Sequence, residues 1–113
     1  MPPRPSRSTP APVFAALGDE TRLSLLLRLG AGGPLSISRL TEGSGITRQG
    51  VTKHLRVLAG AGLVRSTRRG KESLWQVEHR RLEEARRSLD LISKQWDVSL
   101  NKLKLFVESD TAE

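Results

Sequence analysis

The segment 46–58 constrains the fold most, because its apolar residues recur at the spacing of a helix. Val51, Leu55 and Leu58 share one stripe of such a helix, and a stripe of this kind is normally buried. Thr47 precedes the helix as an N-cap candidate, since its hydroxyl can accept a free amide proton of the first turn. The sequence therefore predicts a short helix with an apolar back and a polar front.

The polar front carries side chains that suit double-stranded DNA. Arginine pairs with guanine, glutamine pairs with adenine, and lysine and threonine bind phosphate oxygens. The sequence places no carboxylate or second histidine beside His54, which favours a base or phosphate contact over a metal or catalytic role. We predict a recognition helix whose DNA-contacting residues are Thr47, Arg48, Gln49, Thr52, Lys53, His54 and Arg56.

The distribution of charge favours the same interpretation. The net charge of +7 indicates a polyanionic partner, although by itself it fits DNA, RNA, a membrane surface or an ordinary solvated surface. Residues 46–80 hold eight Lys or Arg against two acids, whereas residues 82–108 hold five of each. The positive charge is therefore concentrated around the predicted recognition helix.

Composition excludes several classes of protein. The absence of cysteine removes disulfides and thiolate metal sites. No apolar run approaches the ~18 residues of a membrane span, and the N-terminus has no signal-peptide core, so we expect a cytoplasmic protein. No nucleophile triad, phosphate loop or paired carboxylates is present, so we expect no enzymatic activity and no cofactor.

Five prolines in residues 1–12 predict a disordered arm. The segments around the recognition helix then complete a DNA-binding domain over residues 13–78. A short helix, a glycine-containing turn at 43–45 and the recognition helix form a helix-turn-helix. The helices expected before the turn cover residues 13–17, 20–29 (capped by Asp19 and closed by Gly30) and 36–42.

A β-hairpin is expected directly after the recognition helix. Two β-prone runs, 63–68 and 73–77, flank a tip that contains Gly70. Three cations surround this tip, which predicts a wing that reaches the DNA backbone or minor groove. The wing residues expected to contact DNA are Arg68, Arg69 and Lys71.

One or two helices with no proline or glycine are predicted over residues 79–108, with a tail at 109–113. The apolar residues of this segment recur every seven positions, and about 30 helical residues span roughly 45 Å, more than a small core can cover. We predict that a second copy of the helix covers it, against the alternative that it folds back on its own domain. The predicted dimer-interface residues are Leu82, Leu89, Ile92, Trp96, Leu100, Leu103 and Phe106. The predicted fold is thus mainly α with a small β-hairpin wing, a winged helix-turn-helix dimerised through terminal helices.

With these motifs in this order, the chain resembles the ArsR-type winged-helix transcriptional repressors over about residues 13–108. The matching segments are Ala16-Leu17-Gly18-Asp19-Glu20-Thr21-Arg22, Gly50-Val51-Thr52-Lys53-His54-Leu55-Arg56-Val57-Leu58, Ala61-Gly62-Leu63-Val64 and Arg68-Arg69-Gly70-Lys71. The resemblance implies a homodimer that binds a palindromic operator and represses transcription, often of its own operon.

The chain departs from the metal-sensing members of that family. They carry a Cys-x-Cys pair where this chain has Ser36 and Ser38, and Arg39 replaces a usual acid. Serine hydroxyls are poor ligands for soft metals. We therefore predict no metal site and assign the chain to a metal-free subgroup whose effector, a small molecule or a protein if there is one, is unknown.

The sequence supports one function above two others. The mixed Gln, Thr and Arg front predicts a sequence-specific transcriptional regulator, most simply a homodimeric autorepressor. A nonspecific architectural DNA-binding protein would need mainly Lys and Arg. A winged-helix protein-interaction module would have no need for eight cations across residues 46–80.

Overall fold

The computed structural model describes residues 9–111, and within them the predicted winged helix-turn-helix is confirmed. Most of the described chain is helical, and a small antiparallel sheet supplies the wing. The elements in chain order are α1 (Ala11–Leu17), α2 (Glu20–Gly32), β1 (Leu35–Ser36), α3 (Ile37–Thr41), α4 (Arg48–Gly60), β2 (Val64–Arg69), β3 (Glu72–Val77) and α5 (His79–Thr111).

The first helix begins earlier than expected. The predicted arm covered residues 1–12, but α1 starts at Ala11 and not at Val13. Pro12 is compatible with this start because the first turn of a helix needs no hydrogen bond from its amide. The rest of the predicted arm, residues 1–8, lies outside the described residues.

The second helix ends later than expected. The Asp19 carboxylate accepts a hydrogen bond from the Arg22 amide at 3.0 Å, which confirms the predicted N-cap. The predicted stop at Gly30 is wrong, since α2 continues through Gly32. The C-cap is Gly33, whose φ of 72° suits glycine and whose amide donates to the Leu29 carbonyl.

The sheet has one strand that the sequence analysis did not predict. β3 lies between β1 and β2, and both pairings are antiparallel. β1 pairs Leu35 with Trp75, and a strand this short has no alternation that a sequence pattern could reveal. Its last residue, Ser36, then caps α3 by accepting from the Arg39 amide at 3.2 Å. The hairpin of β2 and β3 turns at Gly70, as predicted, with a φ of 61°.

The core lies beneath α4 and reaches only the start of α5. The three predicted back-face residues of α4 are fully buried, together with Leu29, Leu40 and Leu63. Ala85 is buried in the same cluster, and Leu82 packs against it. Residues 89–109 of α5 are exposed, and the helix extends through Thr111, past its predicted end at Glu108. No helix among the described residues is long and apolar enough to cross a membrane.

Candidate nucleic-acid interface

The turn that precedes α4 sets the direction of this recognition helix. Gly43 and Gly45 have φ values of 70° and 72°, a left-handed conformation that favours glycine. The Ser44 hydroxyl between them donates to the Thr41 carbonyl at 2.8 Å and accepts from the Ile46 amide at 3.1 Å. These bonds fix the path from α3 into α4.

The first turn of α4 is closed by the predicted cap. The Thr47 hydroxyl accepts from the Gly50 amide at 3.0 Å, which satisfies a donor that the helix itself leaves free. The Thr52 hydroxyl donates to the Arg48 carbonyl at 2.8 Å. The hydroxyl proton of Thr52 is therefore already engaged, and its oxygen can only accept further hydrogen bonds.

The outer face of α4 collects polar side chains at one place. Gln49, Thr52, Lys53 and Arg56 line a single shallow groove, and all of them except half-buried Thr52 are exposed. Arg48 and Thr47 are exposed at the N-terminal end of the same helix. The structure thus brings amide, hydroxyl and cationic groups together opposite the buried stripe.

His54 occupies a different position from the other predicted contact residues. It is half-buried on the flank of α4 and does not line the groove. The pKa of Asp19 is lowered by the hydrogen bond from the Arg22 amide first, then by the charges of Arg22 and His54, while desolvation opposes them. His54 therefore lies near the N-cap of α2, and its predicted DNA contact would come from the edge of the face.

The wing carries cations along one exposed strand and at its tip. Arg68, Arg69 and Lys71 are exposed, and the Arg68 guanidinium donates to the Gly70 carbonyl at 3.4 Å. Arg65, which the sequence analysis did not select, is exposed as well, but its Nε lies 3.5 Å from a Glu78 carboxylate oxygen. The uncompensated charge is therefore concentrated toward the tip.

Comparison with known proteins decides the family. Residues 17–67 match a family model described as a helix-turn-helix domain. An HTH-type transcriptional regulator of Mycobacterium tuberculosis is 30% identical over 102 residues, 90% of this chain and 92% of the relative. The structure of an ArsR-like transcriptional regulator from Rhodococcus sp. RHA1 superposes with a TM-score of 0.75 at 37% identity, covering 86% of this chain and 91% of that one. This chain belongs to the ArsR-type winged helix-turn-helix regulators. It is a DNA-binding transcriptional regulator.

A more distant structure of the same fold comes from Mycobacterium bovis. It is a homodimeric winged helix-turn-helix DNA-binding domain, 23% identical, with a TM-score of 0.59 over 90% of this chain and 95% of that one. At this level of identity the likeness shows the fold alone.

This ArsR-type regulator leaves a long apolar stripe uncovered on α5. The predicted interface residue Leu82 is half-buried and packs against the chain's own core, and its part in a dimer interface stays a prediction. The other six keep between 46% and 69% of their surface exposed. These are Leu89, Ile92, Trp96, Leu100, Leu103 and Phe106.

The sequence analysis missed a residue that holds the regulator's helix-turn-helix together. Arg28 of α2 donates to the Leu40 carbonyl at 2.7 Å and to the Arg39 carbonyl at 3.0 Å. It thereby satisfies carbonyls at the C-terminal end of α3, where cations are favoured. Backbone acceptors distant in the sequence leave no pattern that would reveal this role.

Metal ligands are not grouped in the described part of the chain. Across residues 9–111, no three histidine, aspartate or glutamate side chains lie together in a way that could hold a metal ion.

Proposed function

We propose that this regulator binds a two-fold symmetric operator as a homodimer and represses transcription, including that of its own operon. The observation that carries the proposal is the shared groove of Gln49, Thr52, Lys53 and Arg56 on the outer face of a helix whose back is fully buried. A helix held in this way can enter the major groove as a rigid unit.

The side chains divide into two roles. The Gln49 amide offers the donor and acceptor that read adenine, and the Arg48 guanidinium offers the paired donors that read guanine. Lys53, Arg56 and the wing cations Arg68, Arg69 and Lys71 suit phosphate contacts, which position the protein and carry no sequence information. Thr47, Thr52 and His54 complete the face as contacts to phosphate or base edges.

The exposed stripe of α5 supports the dimer. Isolated helices do not keep an unbroken apolar stripe in water, and an identical helix related by a two-fold axis covers it most simply. The homodimeric state of the M. bovis neighbour agrees with this arrangement. Two recognition helices would then reach half-sites about 34–36 Å apart, one turn of DNA.

Repression requires only occupancy. A dimer bound over a promoter excludes RNA polymerase, and no chemical step by the protein is needed. The proposed assembly therefore acts as a binding protein, with its own concentration as the first control on its gene.

Fluorescence anisotropy tests the proposal with a duplex from upstream of the gene and a scrambled duplex of the same length. We expect the first to bind at least about 10³-fold more tightly. Gln49→Ala should lower affinity for the first duplex by about 1–3 kcal/mol and leave the scrambled duplex unchanged. Arg69→Ala should weaken binding to both duplexes alike. It should also reduce the slope of log K against log salt concentration by about one.

Gln95→Ala is the matched control, since Gln95 is exposed on α5 away from the proposed contacts. It should leave both affinities unchanged. Equal binding of the two duplexes by the wild-type protein would overturn the proposal and favour an architectural DNA-binding protein.

A further inference from the structure

The end of the recognition helix meets the start of α5 at a compact joint. After α4, the Gly62 amide donates to the Ala59 carbonyl at 3.0 Å and the Leu63 amide donates to the Leu58 carbonyl at 3.0 Å. The Leu63 carbonyl accepts from the Glu78 amide at 2.8 Å, directly before α5 begins. The backbone therefore brings the two helix ends together through one short loop.

Arg81 covers this joint with its side chain. Gly62 has a φ of 77°, and a Cβ placed on it would lie 2.7 Å from Cγ of Arg81. The hydrocarbon stem of Arg81 therefore rests on the Gly62 backbone. It fills the space that the side chain of any larger residue at position 62 would need. Only 18% of the Arg81 side chain is exposed.

The guanidinium of Arg81 binds two further segments. Its Nη1 donates to the Glu84 carboxylate at 2.8 Å, one turn along α5. Its Nη2 donates to the Thr9 carbonyl at 3.2 Å, next to the start of α1. One side chain thus touches α5, the loop that ends α4 and the segment that leads into α1.

We propose that Arg81 is a positioning residue that fixes the angle between α5 and the recognition helix. Direct packing between α4 and α5 is slight. Contacts with α1 and the burial of Ala85 attach α5 to the core, and the joint at Gly62 links it directly to the end of α4. The inference rests on the proposed homodimer, in which this angle sets the separation of the two recognition helices. Arg81 therefore determines which half-site spacing the dimer accepts.

The neighbouring Arg80 supplies a matched control. It has the same charge and lies one residue earlier, but it is exposed, and its side chain makes no hydrogen bond or ion pair with any described residue. Arg80→Ala removes one cation from the same region without releasing the joint. Any difference between Arg80→Ala and Arg81→Ala therefore reports contacts and not net charge.

The experiment measures the affinity of the full-length protein for a set of operator duplexes whose half-site spacing differs by single base pairs. The wild type and Arg80→Ala should favour one spacing by about 10-fold or more over its neighbours, a coupling of ordinary size. Arg81→Ala should flatten this preference to about 3-fold or less while remaining a dimer by sedimentation. Arg81→Lys, which keeps the stem over Gly62 and one donor, should restore part of it.

A role in stability alone would lower the melting temperature of Arg81→Ala and leave the spacing profile unchanged, and that result overturns the inference. If Arg81→Ala does not fold, Arg81→Met keeps the stem and loses both hydrogen bonds, and its profile decides in the same way. A wild-type protein that is monomeric or indifferent to spacing would instead refute the proposed function, and the inference with it.

Discussion

Truncation of Trp96 tests whether the apolar stripe of α5 is the dimer interface. Trp96 keeps 64% of its surface exposed in the single chain. A tryptophan buries about 150–250 Å², so roughly 100–160 Å² remains for a partner to cover. At about 25 cal/mol per Å², each copy of Trp96→Ala removes about 2.5–4 kcal/mol of apolar burial. Both copies change together, so the dimer dissociation constant should rise by about 10²–10⁴-fold after allowance for incomplete coverage.

Val98→Ala is the matched control for this prediction. Val98 keeps 54% of its surface exposed, but at 100° per residue it lies about 200° around the helix from Trp96. Its truncation should change the dissociation constant by less than about threefold, since it points away from the stripe. Sedimentation equilibrium over nanomolar to micromolar concentrations measures both variants, and circular dichroism checks that they are helical.

The assay has two outcomes that would refute the reasoning. A Trp96→Ala dimer as tight as the wild type would mean that the stripe is not the interface. Equal weakening by Val98→Ala would mean that the helix buries both faces, so a two-helix contact would not describe the assembly.

Three further predictions concern the domain itself. Leu55→Ala removes a fully buried side chain beneath the recognition helix and should cost about 2–5 kcal/mol of unfolding free energy in urea, whereas exposed Val57→Ala should cost far less. Thr47→Ala removes the cap on the Gly50 amide and should cost about 1 kcal/mol by the same assay, with Thr47→Ser close to wild type. The folded state holds the pKa of Asp19 below its usual 3.8, so its stabilisation is present above that value and is lost as pH falls through the lowered pKa. As pH is lowered, the urea midpoint should therefore fall less steeply for Asp19→Asn than for the wild type. Equal slopes for the two proteins would contradict this role of Asp19.

The recognition helix could be predicted because its signals are local. Val51, Leu55 and Leu58 show helical periodicity, and Thr47 stands where an N-cap must stand, so both the buried face and the polar face followed directly. The wing was predictable for the same reason, since Gly70 marks a tight turn between two β-prone runs.

The features that escaped prediction depend on contacts between distant segments. β1 is held by its pairing with β3, and no pattern within two residues encodes that. Arg28 and Arg81 act through backbone carbonyls that only the fold brings near them. His54 was predicted to contact DNA with the rest of the helix face, yet it is half-buried and does not line the groove on α4. Polar residues on one helix can therefore differ in exposure and neighbours in a way that the sequence does not reveal.

The length of α5 has a mechanical consequence. The helix spans His79–Thr111, about 50 Å at 1.5 Å per residue, and the DNA-binding domain is attached at one end only. A tilt of about 5° about the far end swings the domain by about 4 Å, slightly more than the 3.4 Å step between neighbouring base pairs. The helix therefore acts as a lever arm. In the proposed homodimer, a molecule bound to the distal turns of α5 would shift the two recognition helices by a base pair without contacting them.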